Sequence, residues 1–400
     1  MDGDPSTPAA KVPRSAEDDY APAIVAERLR LCERLAGRPL PHLAGAPVPP
    51  AEARGNIENP IGFVQVPVGL AGPLAIDGSA GERTVYVPMA TNEGAMVASY
   101  SRGMKALAAG GAVRARVLKE GLTQAPILVY ADVAAAQVAA READGSLEAW
   151  RATVAGITRH GALAEVRTHV LGRRLVLALT FTTGDAIGIN MAARATDLIA
   201  ADLAARTGAR ERYVHGEDVE KRANARALLD GRGRTVVADA RVPREALRRI
   251  LRVEPEDLVR IQRSYAVGFA HLGTHNHLVQ VANGLAAVLL ACGQDVAYVA
   301  ESAVGLLDFD VDERGDLQAS ATLPALLVGT VGGGSGKGTA AECLDILGVR
   351  GDGGANTFAE MLAATVLAGD LSLMASFCTH EFVAAHEALG RNRPDAEREA

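Results

Sequence analysis

The chain has 400 residues, 48% of them hydrophobic and 22% charged, with a formal net charge of −7. That length exceeds one compact core and predicts two or three domains, and the acidic balance excludes a general nucleic-acid binder. Four scattered cysteines, Cys32, Cys292, Cys343 and Cys378, fit neither a disulfide framework nor a zinc spacing and predict a reducing, cytoplasmic setting.

Residues 1–20 are acidic, contain proline and lack the basic-then-apolar order of a signal peptide, so they predict a disordered tail. No stretch reaches the ~20 consecutive apolar residues of a membrane helix, and no membrane partner is expected. An N-terminal helical region, 21–57, holds an amphipathic helix over Ala23–Leu35. Glu58–Leu74 is too rich in glycine and proline for a long helix and predicts loop and short strand. Thr84–Pro88 predicts a strand, and Thr91 a cap for a helix over Glu93–Ala108.

A compact α+β unit is expected over 125–215. Its elements are a strand in ILVYADV, a helix near Leu147–Ile157, two strands joined at Gly172 and a helix over Asn190–Arg206. Further helices are predicted at Arg244–Leu251, Pro255–Gly268, Leu278–Leu290, Ala340–Leu347 and, longest, Thr357–Leu389.

Several motifs fail on inspection. GGGSGKGT at Gly332–Thr339 has Gly338 where a P-loop needs Ser or Thr for Mg²⁺. His380-Glu381 begins a zincin pattern, but position 384 is Ala and His386 falls at i+6, turned away from the first histidine. DFDVDERG at Asp308–Gly315 lacks the bidentate Glu of a calcium loop and predicts a hairpin turn. No metal site is expected, and no GxGxxG follows a strand.

Four polar residues stand out: Glu93 in PMATNEGAMVAS, Lys221 in EDVEKRANA, Asp295 in LLACGQDVA and His386 in FCTHEFVAAHEALG. Lysine is scarce here, with only Lys11, Lys105, Lys119, Lys221 and Lys337 against many arginines. Singly, each of the four has an ordinary structural reading: a helix-start acid, a surface charge, a helix cap, a histidine at a helix C-terminus.

Together the segments resemble one family. ENPIGFVQVPVGLAGPL, VPMATNEGAMVASYSRGMKA, GDAIGINMA, ACGQDVA, GTVGGG and AGDLSLMAS are similar, in order and spacing, to the hydroxymethylglutaryl-CoA reductases of the class I form without a membrane anchor. The likeness runs from about residue 55 to 393. It implies an α+β fold: a large helical and mixed domain, 58–124 and 216–400, around a long central helix, with an inserted ferredoxin-like NADP-binding domain, 125–215. It also implies a homodimer or larger assembly with the active site at the subunit interface.

The implied reaction reduces an acyl-CoA, hydroxymethylglutaryl-CoA, to mevalonate and CoA with NADPH, through a hemithioacetal and mevaldehyde. Lys221 would stabilise the oxyanion formed as hydride arrives. Glu93 would supply a proton to the aldehyde oxygen, Asp295 would tune both charges, and His386 would protonate the departing thiolate. For the cofactor, the resemblance implies Thr158 and Arg159 at the 2′-phosphate, with Asp185, Gly188, Asn190 and Arg391. For the substrate it implies Ser99, Arg102, Gln124, Arg222, Arg263 and Asn283.

Departures cluster around substrate recognition. The family's carboxylate-gripping arginine falls on Gln124. Glu220 and Arg222 replace both neighbours of the catalytic lysine, Arg263 replaces a lysine, and LVQVAN keeps only Asn283 of a polar run. A lost charge-assisted hydrogen bond is worth ~1.5–3 kcal/mol. Two expectations follow: a divergent mevalonate-forming reductase in which Arg222 and Arg263 hold the carboxylate, or a relative that reduces a different acyl thioester or aldehyde.

Overall fold

The computed structural model describes residues 11–379 except 20, 47, 62 and 218. The positions of His386 and Arg391, and the end of the predicted last helix, lie outside the described residues.

Helix α1, Pro22–Ala36, begins on a proline whose φ suits a first turn and ends at Gly37 in the left-handed region. It buries Leu31 and Cys32, and Cys32 packs with Leu40 and Ile346 in a small satellite core. A hairpin follows, β1 (Val68–Gly78) with β2 (Gly81–Ala90), then α2 (Met96–Ala108) and β3 (Val113–Gln124). The predicted helix start at Glu93 is corrected by three residues. Thr91 Oγ1 accepts the Glu93 N–H at 2.9 Å, closing a turn ahead of α2 rather than capping it.

β3 joins two sheets. Val113 and Arg114 pair with β1 (parallel), and Arg114–Gly121 pair with β8 (Gly233–Val242, antiparallel). The last residues of β3, Leu122–Gln124, pair instead with β6 (Arg174–Thr182). The smaller sheet has the order β7-β4-β6-β5, with β4 Ile127–Val129, β5 Ala162–Leu171 and β7 Glu211–Tyr213. Helices α3 (Val133–Asp144), α4 (Leu147–Ala155) and α5 (Ile189–Thr207) cover it around Trp150, Phe181 and Ile199. The sequence reading missed α3, whose buried face is made of alanines, Ala136, Ala139, Ala140 and Ala143.

The chain returns through α6 (Ala225–Asp230) into β8, whose residues alternate between buried and half-buried as a one-faced strand requires. Then come α7 (Arg244–Ala246), running into a π turn at Leu247–Leu251, α8 (Pro255–Leu272) and α9 (Val281–Ala291). A 3₁₀ turn, Val296–Tyr298, leads into α10 (Val299–Ser302). The expected hairpin turn near Asp308–Gly315 joins β9 (Leu306–Val311) to β10 (Leu317–Leu326), with Gly315 at φ 79°. α11 (Gly338–Leu347) and α12 (Gly354–Cys378) follow.

α12 is 25 residues long and nearly all of it is buried, against α2, α9, β8 and β10. With a mean hydropathy of 1.6 over its most apolar window, α12 is long and apolar enough to cross a membrane, but 83% of that window is buried inside the protein. The helix is apolar all round because protein surrounds it on every side. Close approach is needed where it meets its neighbours. A Cβ on Gly369 would lie 2.3 Å from the Tyr100 ring, and one on Gly284 of α9 would lie 2.2 Å from the Tyr100 hydroxyl.

Candidate active site

Lys221 lies in the segment between β7 and α6, in the left-handed backbone region at φ 57°. Its ammonium pairs with Asp295 Oδ2 at 2.8 Å and stands 5.1 Å from the centre of the Tyr298 ring. Asp295 is the N-cap of the 3₁₀ turn, and its other oxygen accepts the Ala297 N–H at 3.0 Å. The Asp295 hydrogen bond, with Asp295, Glu220 and Glu301 charges nearby, raises the Lys221 pKa against the opposing effect of burial. Burial pulls Asp295 upward, but the Lys221 hydrogen bond and the Ala297 N–H hold it below the usual carboxylate value. Both side chains are more than 40% exposed, so the pair is open to a reactant and screened by solvent.

Behind this pair is a buried polar layer that sequence reasoning missed. Glu301 is fully buried and accepts two hydrogen bonds from Arg232 Nη1, at 2.7 and 2.8 Å. Arg232 Nε also donates to the Thr123 carbonyl at 3.1 Å, and Nη2 has no hydrogen-bond partner among the described residues but sits 3.7 Å from Glu220. Burial pushes the Glu301 carboxyl up, while Arg232 and the Lys221 backbone N–H pull it down. Gln124, 1% exposed at the end of β3, donates to Glu220 Oε1 at 2.8 Å. The residue standing where the resemblance implies a carboxylate clamp is thus tied to an acid. Arg222, next to Lys221, and Arg263, on α8, are exposed.

A second cluster surrounds Glu93. Asn283, in the first turn of α9, donates to both Glu93 carboxylate oxygens, at 3.0 and 3.2 Å. The start of α9 is fixed from beneath by Asp370 of α12, which accepts the N–H groups of Val279 and Gln280 at 3.0 and 2.9 Å. Burial raises the Asp370 carboxyl to about 7 in spite of those two hydrogen bonds. Tyr100 donates to the Gln280 carbonyl at 2.6 Å. Ser99 and Arg102 face α12: Ser99 Oγ lies 3.0 Å from Ser372 Oγ, and Arg102 donates to Ser372 Oγ, the Ser372 carbonyl and Ser376 Oγ. This guanidinium fastens α2 to α12.

The described residues assigned to a nucleotide lie near the ends of two helices of the smaller sheet, after α4 and at the start of α5. Arg159 is exposed just beyond α4, and Thr158 Oγ1 beside it accepts the His160 N–H at 3.1 Å. Gly188 is the N-cap of α5 at φ 83°, where a Cβ would meet Thr183 at 2.4 Å, so only glycine fits. α5 has no side-chain cap, which leaves its first N–H groups without that acceptor, and Asn190 in the same turn is exposed. The Asp185 carboxylate is committed elsewhere: it accepts the N–H groups of Gly353 and Ala355 at 3.0 and 2.9 Å, at the start of α12. Lys337 of the glycine-rich segment donates to the Arg54 carbonyl and to Asn56, anchoring that turn.

The two charged clusters stand apart within the chain. Asn283 is in the first turn of α9 and Asp295 lies beyond its last residue, Ala291, so about 12 Å of helix rise separates their ends. Two signals could have revealed the missed residues: the spacing of three that links Asp295, Tyr298 and Glu301, and the arginine set between glycines in DGRGR.

Comparison with known proteins places the chain in a family. The family model described as hydroxymethylglutaryl-coenzyme A reductase matches residues 24–391. The 3-hydroxy-3-methylglutaryl-coenzyme A reductase of Aeropyrum pernix is 40% identical over 381 residues, spanning 92% of this chain and 90% of its own. That of Haloferax volcanii is 38% identical and spans 94% of each. In fold, the chain is similar to the class II reductase of Streptococcus pneumoniae, solved bound to NADPH, with a TM-score of 0.72 at 21% identity over 90% of this chain and 98% of that one. With the match running through both clusters, from Glu93 to Asp295, the chain belongs to the hydroxymethylglutaryl-coenzyme A reductase family of oxidoreductases.

Proposed function

We propose that the protein reduces hydroxymethylglutaryl-CoA to mevalonate and CoA with NADPH. The observation that carries this reading is the exposed Lys221–Asp295 pair, a titratable cation held in place at a solvent-open site of a family member. Bound NADPH would supply hydride twice. Arg159, Asn190 and the uncapped start of α5 suit its phosphates and amide, since a guanidinium and free N–H groups both favour anions.

The chain's own residues handle charge and protons. As the thioester carbonyl is reduced, negative charge gathers on its oxygen, and the Lys221 ammonium stabilises it. Asp295 keeps that ammonium charged and aimed. When the hemithioacetal collapses, His386 protonates the CoA thiolate and prevents its return to the aldehyde. On the second reduction Glu93, oriented by Asn283, supplies the proton to the aldehyde oxygen.

The separation of the two clusters along α9 supports a homodimer or larger assembly, in which the Glu93 end of one chain meets the Lys221 end of another. The β7-β4-β6-β5 sheet follows the β-α-β-β-α-β order of a ferredoxin-like unit, with α3 and α4 together in the place of its first helix. That supports reading 125–215 as an inserted NADP-binding domain within the larger 58–124 and 216–400 domain, which would be built around α12. Four unpaired cysteines suit a cytoplasmic setting.

One observation favours a second reading, a reductase of a different acyl thioester: Gln124 carries no charge and is bonded to Glu220. Turnover with hydroxymethylglutaryl-CoA, compared with acyl-CoAs lacking the distal carboxylate, tests the proposal. A preference for the carboxylate-free substrates would overturn the mevalonate assignment.

A further inference from the structure

The turn after α9 places a functional side chain at every third position, Asp295, Tyr298 and Glu301. A 3₁₀ turn has three residues per turn, so side chains three apart are eclipsed. Here the 3₁₀ turn runs directly into α10, and all three side chains reach the 220–232 segment. Asp295 takes the Lys221 ammonium, Tyr298 lies under it, and Glu301 grips Arg232.

Tyr298 is 5% exposed and packs into the core of the smaller sheet, so its ring is fixed before any reactant binds. A lysine has four rotatable side-chain bonds, and one ion pair open to solvent restrains it weakly. A ring face adds a second, directional attraction, because its quadrupole is negative on the face.

We propose that Tyr298 is a positioning residue for Lys221: its ring face holds the ammonium beside Asp295, aimed at the reacting oxygen. The inference rests on the reading of Lys221 as the oxyanion-stabilising group. The phenol hydroxyl has no part in this role; the electron-rich ring face does.

The test replaces Tyr298 by Phe, by 3,4,5-trifluorophenylalanine and by Leu, and measures kcat and KM for hydroxymethylglutaryl-CoA. Tyr298→Phe keeps kcat within about twofold, since the ring face survives. The trifluoro ring and Tyr298→Leu lower kcat about three- to tenfold, with KM changed much less. Fluorination leaves the ring nearly the same size, so if Tyr298→Leu fails to fold, the comparison of Phe with its trifluoro analogue still decides. Equal kcat for those two overturns the proposal. Lys221→Ala is the separate control: if it retains full activity, the reading of Lys221 fails whatever Tyr298 does.

Discussion

Asn283 donates its amide to both carboxylate oxygens of Glu93, and so holds this acid at the first turn of α9, while Lys221 and Asp295 pair beyond the opposite end of that helix. If two chains complete each site, Glu93→Gln and Lys221→Ala are each inactive alone but complement one another when co-assembled. In a random mixture of dimers, heterodimers keep one intact site, and activity returns to about a quarter of the parent's. Activity measured after co-refolding reads this directly, and no recovery contradicts a shared site.

Lys221→Ala and His386→Ala are expected to separate the two reductions. Loss of Lys221 removes oxyanion stabilisation from both steps, so kcat falls at least about 100-fold with thioester and with mevaldehyde alike. Loss of His386 slows only the thioester reaction, because the aldehyde step has no thiolate to protonate. Equal losses of both activities in the histidine variant would contradict its role.

The buried Asp370 carboxyl makes stability depend on pH. It ionises near 3.8 when unfolded and at about 7 when folded, so the folded state retains the extra proton between those values. This contribution to stability is complete below pH 4 and is lost as pH rises through about 7. In urea unfolding, the parent-minus-Asp370→Asn difference should decline across that window, by up to ~1.4 kcal/mol per pH unit. A flat difference would show that the carboxyl titrates alike in both states.

Much of this arrangement was legible in the sequence, and the remainder was hidden for identifiable reasons. The segments holding Glu93 and Asp295 stood out because each sets a charge among apolar residues and a glycine, and Lys221 stood out because lysine is scarce in this chain. β3 and β8 escaped notice because their exposed faces carry Arg114, Arg116 and Asp239, which pair across strands and break the apolar signal. α3 was missed because alanines bury it, and alanine carries little periodic hydrophobicity. Arg232 and Glu301 lie 69 positions apart, so only folding reveals them as a pair. The separation of Glu93 from Lys221 along α9 is likewise tertiary information.

Arg159→Gln should raise KM for NADPH about tenfold or more while leaving KM for NADH little changed, because only NADPH carries the 2′-phosphate that a guanidinium would bind. Steady-state kinetics with both nucleotides checks this, and equal effects on the two would place the 2′-phosphate elsewhere.

Arg222→Gln and Arg263→Gln bear on the substrate carboxylate, which Gln124 cannot hold by charge. If either arginine has taken over, its loss raises KM for hydroxymethylglutaryl-CoA by about 10- to 100-fold with a smaller change in kcat. Unchanged KM in both variants would favour a substrate without that carboxylate.

The most direct measurement is stoichiometry: NADPH oxidised per CoA released, with hydroxymethylglutaryl-CoA as sole acyl substrate and mevalonate identified as product. The proposed four-electron reduction predicts two NADPH per CoA. One NADPH per CoA with an aldehyde accumulating, or no oxidation at all while another acyl-CoA is turned over, would contradict it.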